Sequence, residues 1–314
     1  MAMAKMEELK REIERLKREK NCVILAHYYT RDEVQEVADF VGDSLALARV
    51  AQSTDAAAIL FAGVHFMAET AKILSPQKMV LLPDMEAGCS LADSCKGPDL
   101  AKFKAEHPDH MVVSYVNTTA EVKALTDVVC TSSNAIDIVN GLPADAKIIF
   151  GPDRNLGSYV KSMTGRDDML VWDGACHVHE RFSLEKLVEL KKEFPNAKVV
   201  AHPECKKPIL MLADHVGSTA ALLDYVKTSG FNEFIVVTEP GILFEMQKVG
   251  GDKIFHVVPP EDSTCACNDC SYMKLVTLEK IYESLRDDKH QIEVAEDVRV
   301  AAEKSIIKML AMSK

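Results

Sequence analysis

Two things are scarce in this chain of 314 residues: long apolar runs and positive charge. No apolar run approaches the ~18 residues that a membrane span needs, so none is expected. The first twenty residues, MAMAKMEELKREIERLKREK, are charged and helical in pattern and lack the apolar centre of a secretory leader, which makes the cytoplasm the expected compartment. Lys and Arg number 37 against 48 Asp and Glu, a net charge of −11. That balance argues against nucleic acid and anionic membrane as partners. A small anionic substrate stays compatible with it, because a few local dipoles can hold an anion inside an acidic protein.

Cysteine is present in quantity. In a reducing compartment the nine thiols favour metal ligation or burial over a disulfide framework. Three of them, Cys265, Cys267 and Cys270, crowd into STCACNDC at 263–270. Whether all of that cluster would serve a metal, or one member with partners elsewhere, depends on the rest of the chain.

The chain repeats itself. VILAHYYTRDEVQEVADFVGDSLALARV from Val23, VVSYVNTTAEVKALTDVVCTSSNAIDIV from Val112 and VVAHPECKKPILMLADHVGSTAALLDYV from Val199 align without gaps. Each opens with a β-branched run that reads as a buried parallel strand. His27, Tyr115 and His202 fall at equivalent places, followed two residues later by Tyr29, Asn117 and Glu204. Seventeen residues after the first set come Ser44, Ser132 and Thr219, each before an apolar helical stretch. AAILFAG, KIIFGPD and FIVVTEP read as a second strand, and a third strand then runs into a loop holding Cys89, Cys176 or the final cluster. A polar helix follows each. Alternating strands and helices imply right-handed crossovers and parallel sheets. The expected fold is α/β, with three similar αβα units: residues 1–107 with the N-terminal helix, 108–195, and 196–314 with the C-terminal helix. A single (β/α)₈ barrel would share the rhythm but not the polar residues recurring at matched offsets.

Ligands bind beyond the carboxyl ends of parallel strands. Three such ends facing one another would build one central site. Ser44, Ser132 and Thr219 read as helix N-caps, and free N–H groups at helix starts attract anions. One cysteine per unit, Cys89, Cys176 and one of the last three, suits an iron–sulfur cluster with one iron left open to substrate as a Lewis acid. A three-thiolate zinc site is physically possible too. Cys22, Cys130 and Cys205 read as apolar core residues, and Cys95 has no evident role.

AHYYTRDEVQEVADFVGDSLALA, PDMEAGCSLAD, SYVNTTAEVKA, GPDRNLGSYV, HPEC with ADHVGSTA, and CNDCSYMK together make the chain resemble the A-type, iron–sulfur-dependent quinolinate synthases over nearly its whole length. The resemblance implies condensation of iminoaspartate with dihydroxyacetone phosphate to quinolinate, phosphate and two waters, on the way to NAD. It implies three αβα units around a pseudo-threefold axis with a central active site, and a [4Fe-4S] cluster held by Cys89, Cys176 and Cys270. Cys265 and Cys267 are then bystanders, or a redox-sensitive pair as in some relatives, although the spacing here departs from theirs. Implied substrate contacts are His27, Ser44, Tyr115, Asn117, Ser132, His202, Glu204, Ser218 and Thr219, with His179 facing the site. Tyr29 and Glu204, with His202 or His179 in reserve, are the implied acid–base groups. Burial is expected to raise the Glu204 pKa. An aspartate-oxidising enzyme or aspartate dehydrogenase would supply the iminoaspartate, and no nucleotide site is implied. Rival readings are another iron–sulfur hydro-lyase, a non-catalytic iron–sulfur sensor and a zinc-stabilised scaffold.

Overall fold

The first strand of each repeat is a run of small and β-branched residues buried on both faces, as a central parallel strand requires. In the computed structural model, which describes residues 2–262 and 268–313, these are β1 (Cys22–His27), β5 (His110–Tyr115) and β9 (Lys198–Ala201). Cys265 and Cys267 lie outside the described residues. Around β1 stand β2 (Phe40–Gly42), β3 (Ala58–Ala62) and β4 (Met79–Leu81). Around β5 stand β6 (Val128–Cys130), β7 (Lys147–Gly151) and β8 (Leu170–Val171). Around β9 stand β10 (His215–Val216), β11 (Glu233–Val237) and β12 (Ile254–Val257). All three sheets are parallel, four-stranded and identically ordered: β2-β1-β3-β4, β6-β5-β7-β8 and β10-β9-β11-β12.

The likeness of the units extends to single hydrogen bonds. Asp39, Asp127 and Asp214 each accept the backbone N–H of the residue fifteen positions earlier, at Ile24 (2.8 Å), Val112 (2.7 Å) and Val199 (2.9 Å). A carboxylate is an acceptor that can reach back across the strand pair, so the same aspartate ties the first strand to the segment leading into its neighbour in all three sheets.

Packing crosses the boundaries drawn at 107/108 and 195/196. The helix Gly97–Glu106 puts Leu100 against Val112, Val122 and Ile149 of the second sheet's unit. The helix Leu184–Glu193 puts Leu187 against Val199 and Ile235 of the third. The helix Leu278–Asp287 returns to the first, where Leu278, Ile281 and Leu285 bury with Ile24 and Leu60, beside the N-terminal helix Ala2–Glu19. The last helix, Glu296–Met312, lies on β6 and the short helix Ala120–Ala124. Each unit thus lends a helix to another, which welds the sheets into one body and fixes how their strand ends face. Among the described residues no helix is long and apolar enough to cross a membrane.

Candidate active site

Strand ends and the loops beyond them form one cavity wall. His27, Tyr29 and Ser44 line it from the first unit, Tyr115, Asn117 and Ser132 from the second, and His202, Glu204 and Thr219 from the third. Cys89, Cys176, Cys270 and His179 line it as well. Phe66, Met67, Val64 and Met273 supply an apolar part of the wall, which keeps water from competing for the polar groups.

Ser218 is not on this wall. It is buried, and its Oγ accepts the Ala221 N–H at 3.3 Å as the cap of the helix Thr219–Thr228. Thr219 is therefore the first helical residue and not the cap. Ser44 is displaced in the same way: Asp43 caps the helix Ser44–Ser53 by accepting the Ala46 N–H at 2.9 Å. In the second unit the helix starts later, at Ala135, and Ser132 instead lies 3.2 Å from His202 Nε2. The three expected caps are thus cavity hydroxyls standing beside or ahead of the true caps. A hydroxyl not spent on a cap can still meet a ligand, although Ser132 and Thr219 already have partners across the cavity in His202 and Tyr29. The Asp43 carboxylate also shares the positive end of its helix, and it accepts a hydrogen bond from Ser133 Oγ at 2.6 Å. Ser218→Ala is expected to lower stability by about 1 kcal/mol, and Ser44→Ala, which leaves the Asp43 cap intact, to leave it nearly unchanged. Urea denaturation of the two variants checks this.

A hydrogen-bonded chain joins the polar groups. Tyr29 Oη lies 3.0 Å from Thr219 Oγ1 and 2.8 Å from Thr238 Oγ1. Thr238 Oγ1 lies 3.0 Å from His179 Nε2, and His179 Nδ1 lies 3.0 Å from Glu204 Oε2. Tyr115 donates to Glu204 and is also bonded to Ser132. Burial pushes the Tyr29 and Tyr115 phenols well above their ordinary range, so both are donors. Burial also holds His27 down to about 4 and His202 down to about 3, which leaves them neutral. Glu204 behaves differently from the expectation that burial would raise it. Desolvation does push it upward, but the charge and hydrogen bond of His179, with His202 and Tyr115 beside it, outweigh that and hold it below the carboxylate range.

The three cysteines sit close enough to influence one another. Burial pushes the Cys89 thiol up to about 12 and Cys270 up to about 11, and Cys176 well above its ordinary range. Smaller contributions to Cys176 come from Glu204, Cys89 and Cys270, and Cys270 acts in turn on Cys89. Three desolvated thiols gathered at one cavity are a poor arrangement for free cysteine and a fitting donor set for a soft metal centre, which takes them as thiolates. Cys22, Cys130 and Cys205 are core thiols, and Cys95 packs in the cluster of Leu100, Val112 and Ile149. His179 Nδ1 and Glu204 approach Cys176 Sγ, and the three donor atoms lie within 4.8 Å of one another.

Sequence reasoning missed three supports of this site. Asp153 is fully buried and accepts the Cys176 N–H at 3.2 Å. Glu239 is fully buried, accepts the Cys270 N–H at 3.1 Å and pairs with Lys274 at 3.0 Å. Burial raises Glu239 to about 7 against the opposing pull of Lys274. The signal was there: both carboxylates stand two residues beyond the second strand, in GPD and TEP, where the first unit has Val64. Thr238 carried no such signal. Orphaned acceptors also face the cavity: Asn117 Oδ1 and Thr131 Oγ1 are buried on its wall with no partner among the described residues. In a site that pairs nearly everything else, they are places for a ligand's hydrogen bonds.

A family model described as NadA, quinolinate synthetase A protein, matches residues 11–311. The chain is 58% identical over 301 residues to the quinolinate synthase of Thermosynechococcus vestitus, covering 96% of this chain and 94% of that protein. It is 57% identical over 298 residues to the quinolinate synthase of a Synechococcus species, covering 95% and 93%. It is 56% identical over 303 residues to that of Chloroherpeton thalassium, covering 96% and 94%.

Proposed function

The chain belongs to the quinolinate synthetase A protein family and is an enzyme of quinolinate formation in NAD biosynthesis; on that premise we propose that it condenses iminoaspartate with dihydroxyacetone phosphate, releasing phosphate and two waters, as a transferase of the cytoplasm. The observation that carries this reading is the single cavity on which the strand-end residues of all three units meet three cysteines, one from each. We place the units about a pseudo-threefold axis through that cavity.

Cys89, Cys176 and Cys270 would hold a [4Fe-4S] cluster. When bound by three thiolates, such a cluster leaves one iron free to polarise a substrate oxygen. The remaining work belongs to the side chains. The substrates bring two carboxylates and a phosphate. Ser44 and Thr219 at helix starts, Ser132, and neutral His27 and His202 are donors for them. The orphaned Asn117 Oδ1 takes a substrate N–H or O–H. Ring closure needs a proton removed from carbon beside a carbonyl and protons delivered to departing oxygens. Glu204, held ionised, starts as the acceptor, and Tyr29, held protonated, starts as the donor. Thr238 and His179 connect them, so a proton taken at one end can be replaced at the other without bulk water.

Iminoaspartate hydrolyses in water, which favours supply by a nearby aspartate-oxidising or aspartate-dehydrogenating enzyme. A mononuclear zinc centre on Cys176, His179 and Glu204 is the second reading, because their donor atoms lie within 4.8 Å. It leaves Cys89 and Cys270 without a task. The deciding experiment supplies anaerobically prepared protein with dihydroxyacetone phosphate and freshly generated iminoaspartate. Quinolinate and phosphate are expected in equal amounts. No quinolinate from these substrates, with dehydration of a hydroxy acid supplied in a parallel assay, would turn the assignment to another hydro-lyase.

A further inference from the structure

Eight residues past the strand-end position, the first two units carry a buried hydrogen-bond donor that the reaction scheme does not use. In the first unit it is Gln35, eight after His27; in the second it is Lys123, eight after Tyr115. Gln35 Nε2 donates to the carbonyls of Tyr28 (2.9 Å) and Thr30 (3.1 Å), on either side of Tyr29. Lys123 Nζ donates to the carbonyls of Val116 (2.8 Å) and Thr118, on either side of Asn117. The two loop carbonyls are bridged in the same way although the donor differs, and Gln35 Nε2 also reaches the Gly241 carbonyl at 3.0 Å. The third unit has Leu210 at this place. There the loop closes through the Cys205 N–H on the His202 carbonyl (3.0 Å) and the Cys205 thiol on the Val237 carbonyl (3.4 Å).

We propose that Lys123 and Gln35 are positioning residues, one device in two repeats, that pin the loops aiming Asn117 and Tyr29 into the cavity. Lys123 is the more telling of the two. An ammonium with no exposed surface is costly to bury, and here its bonds are spent on backbone carbonyls, where a charged donor binds about twice as strongly as a neutral one. The Phe66 ring, on the cavity wall, lies 5.3 Å away, and Ser305 of the last helix donates to the Lys123 carbonyl at 2.9 Å. The ring thus faces the ammonium, while the last helix ties the backbone that carries it. Asn117 needs such help. Its Oδ1 has no partner among the described residues, so nothing at that atom fixes its aim before substrate arrives. Tyr29 is already tied at its hydroxyl by Thr219 and Thr238, so Gln35 has less to do there. The proposal rests on Asn117 being a substrate contact.

The test is a double-mutant cycle in the intact, cluster-loaded enzyme at matched iron and sulfide content. Quinolinate formation is measured for Lys123→Met and Lys123→Gln, each alone and with Asn117→Ala. Lys123→Met is expected to lose up to about 100-fold in kcat/KM, the scale of a ~1 Å misplacement, chiefly as raised KM. Lys123→Gln restores the donor used in the first unit and is expected to recover most of that loss. In the Asn117→Ala background either change should cost no more than about twofold, because the residue it positions is gone. An undiminished loss in that background, or a Lys123→Gln no better than Lys123→Met, overturns the proposal. Should Lys123→Met fail to fold, Lys123→Gln decides alone: a loss that persists with Asn117→Ala overturns it, and either a loss that collapses or no loss beyond about twofold supports it. Asn117→Ala by itself tests the underlying reading, since normal kinetics there would remove Asn117 from substrate contact whatever Lys123 does.

Discussion

Serine in place of Cys89, Cys176 or Cys270 is expected to abolish or cripple iron–sulfur binding, whereas serine at Cys265 or Cys267 should leave it intact. Serine swaps a soft sulfur for a hard oxygen that seldom ionises, and among the described residues each unit brings a single thiol to the cavity. The backbone is arranged around those thiols: Asp153 accepts the N–H of Cys176 and Glu239 that of Cys270. Iron and sulfide analysis of the five variants, prepared without oxygen, checks the expectation. Retained cluster in Cys270→Ser with loss in Cys267→Ser would move the third ligand to Cys267.

Glu204→Gln and Tyr29→Phe should each keep the cluster spectrum and lose at least ~100-fold in turnover, the ordinary scale for a general acid or base. The glutamine keeps the volume and the bond from Tyr115 but loses the charge that faces His179 at 3.0 Å. The phenylalanine keeps the ring and removes the oxygen that bridges Thr219 and Thr238. Thr238→Val, which cuts the link between Tyr29 and His179 while leaving both in place, is expected to fall between these variants and the parent. Near-normal turnover in Glu204→Gln would pass its role to His202 or His179.

Much of this site was legible because the chain states it three times. Strand-end residues, the residues two positions on, and the cavity hydroxyls seventeen on could be paired across units before any coordinates, and the pairings converge on one wall. What escaped had particular causes. Asp43-Ser44 and Ser218-Thr219 are pairs of residues that both cap well, so composition alone cannot say which one starts the helix, and the cap proved to be the earlier member. The Glu204 pKa depends on His179, from a different unit, and burial considered alone gives the opposite sign. Thr238 matters only because Tyr29 of one unit and His179 of another reach it, which no local pattern reports. The helices that pack on the next sheet have apolar stripes that state burial but not the partner.

The most direct measurement is the iron, sulfide and zinc content of the protein purified without oxygen, taken with its absorption spectrum. About four iron and four sulfide per chain, with the broad visible absorption of a cubane cluster, is the expected result. One zinc per chain, no sulfide and no colour would contradict it and leave Cys176, His179 and Glu204 as the metal site.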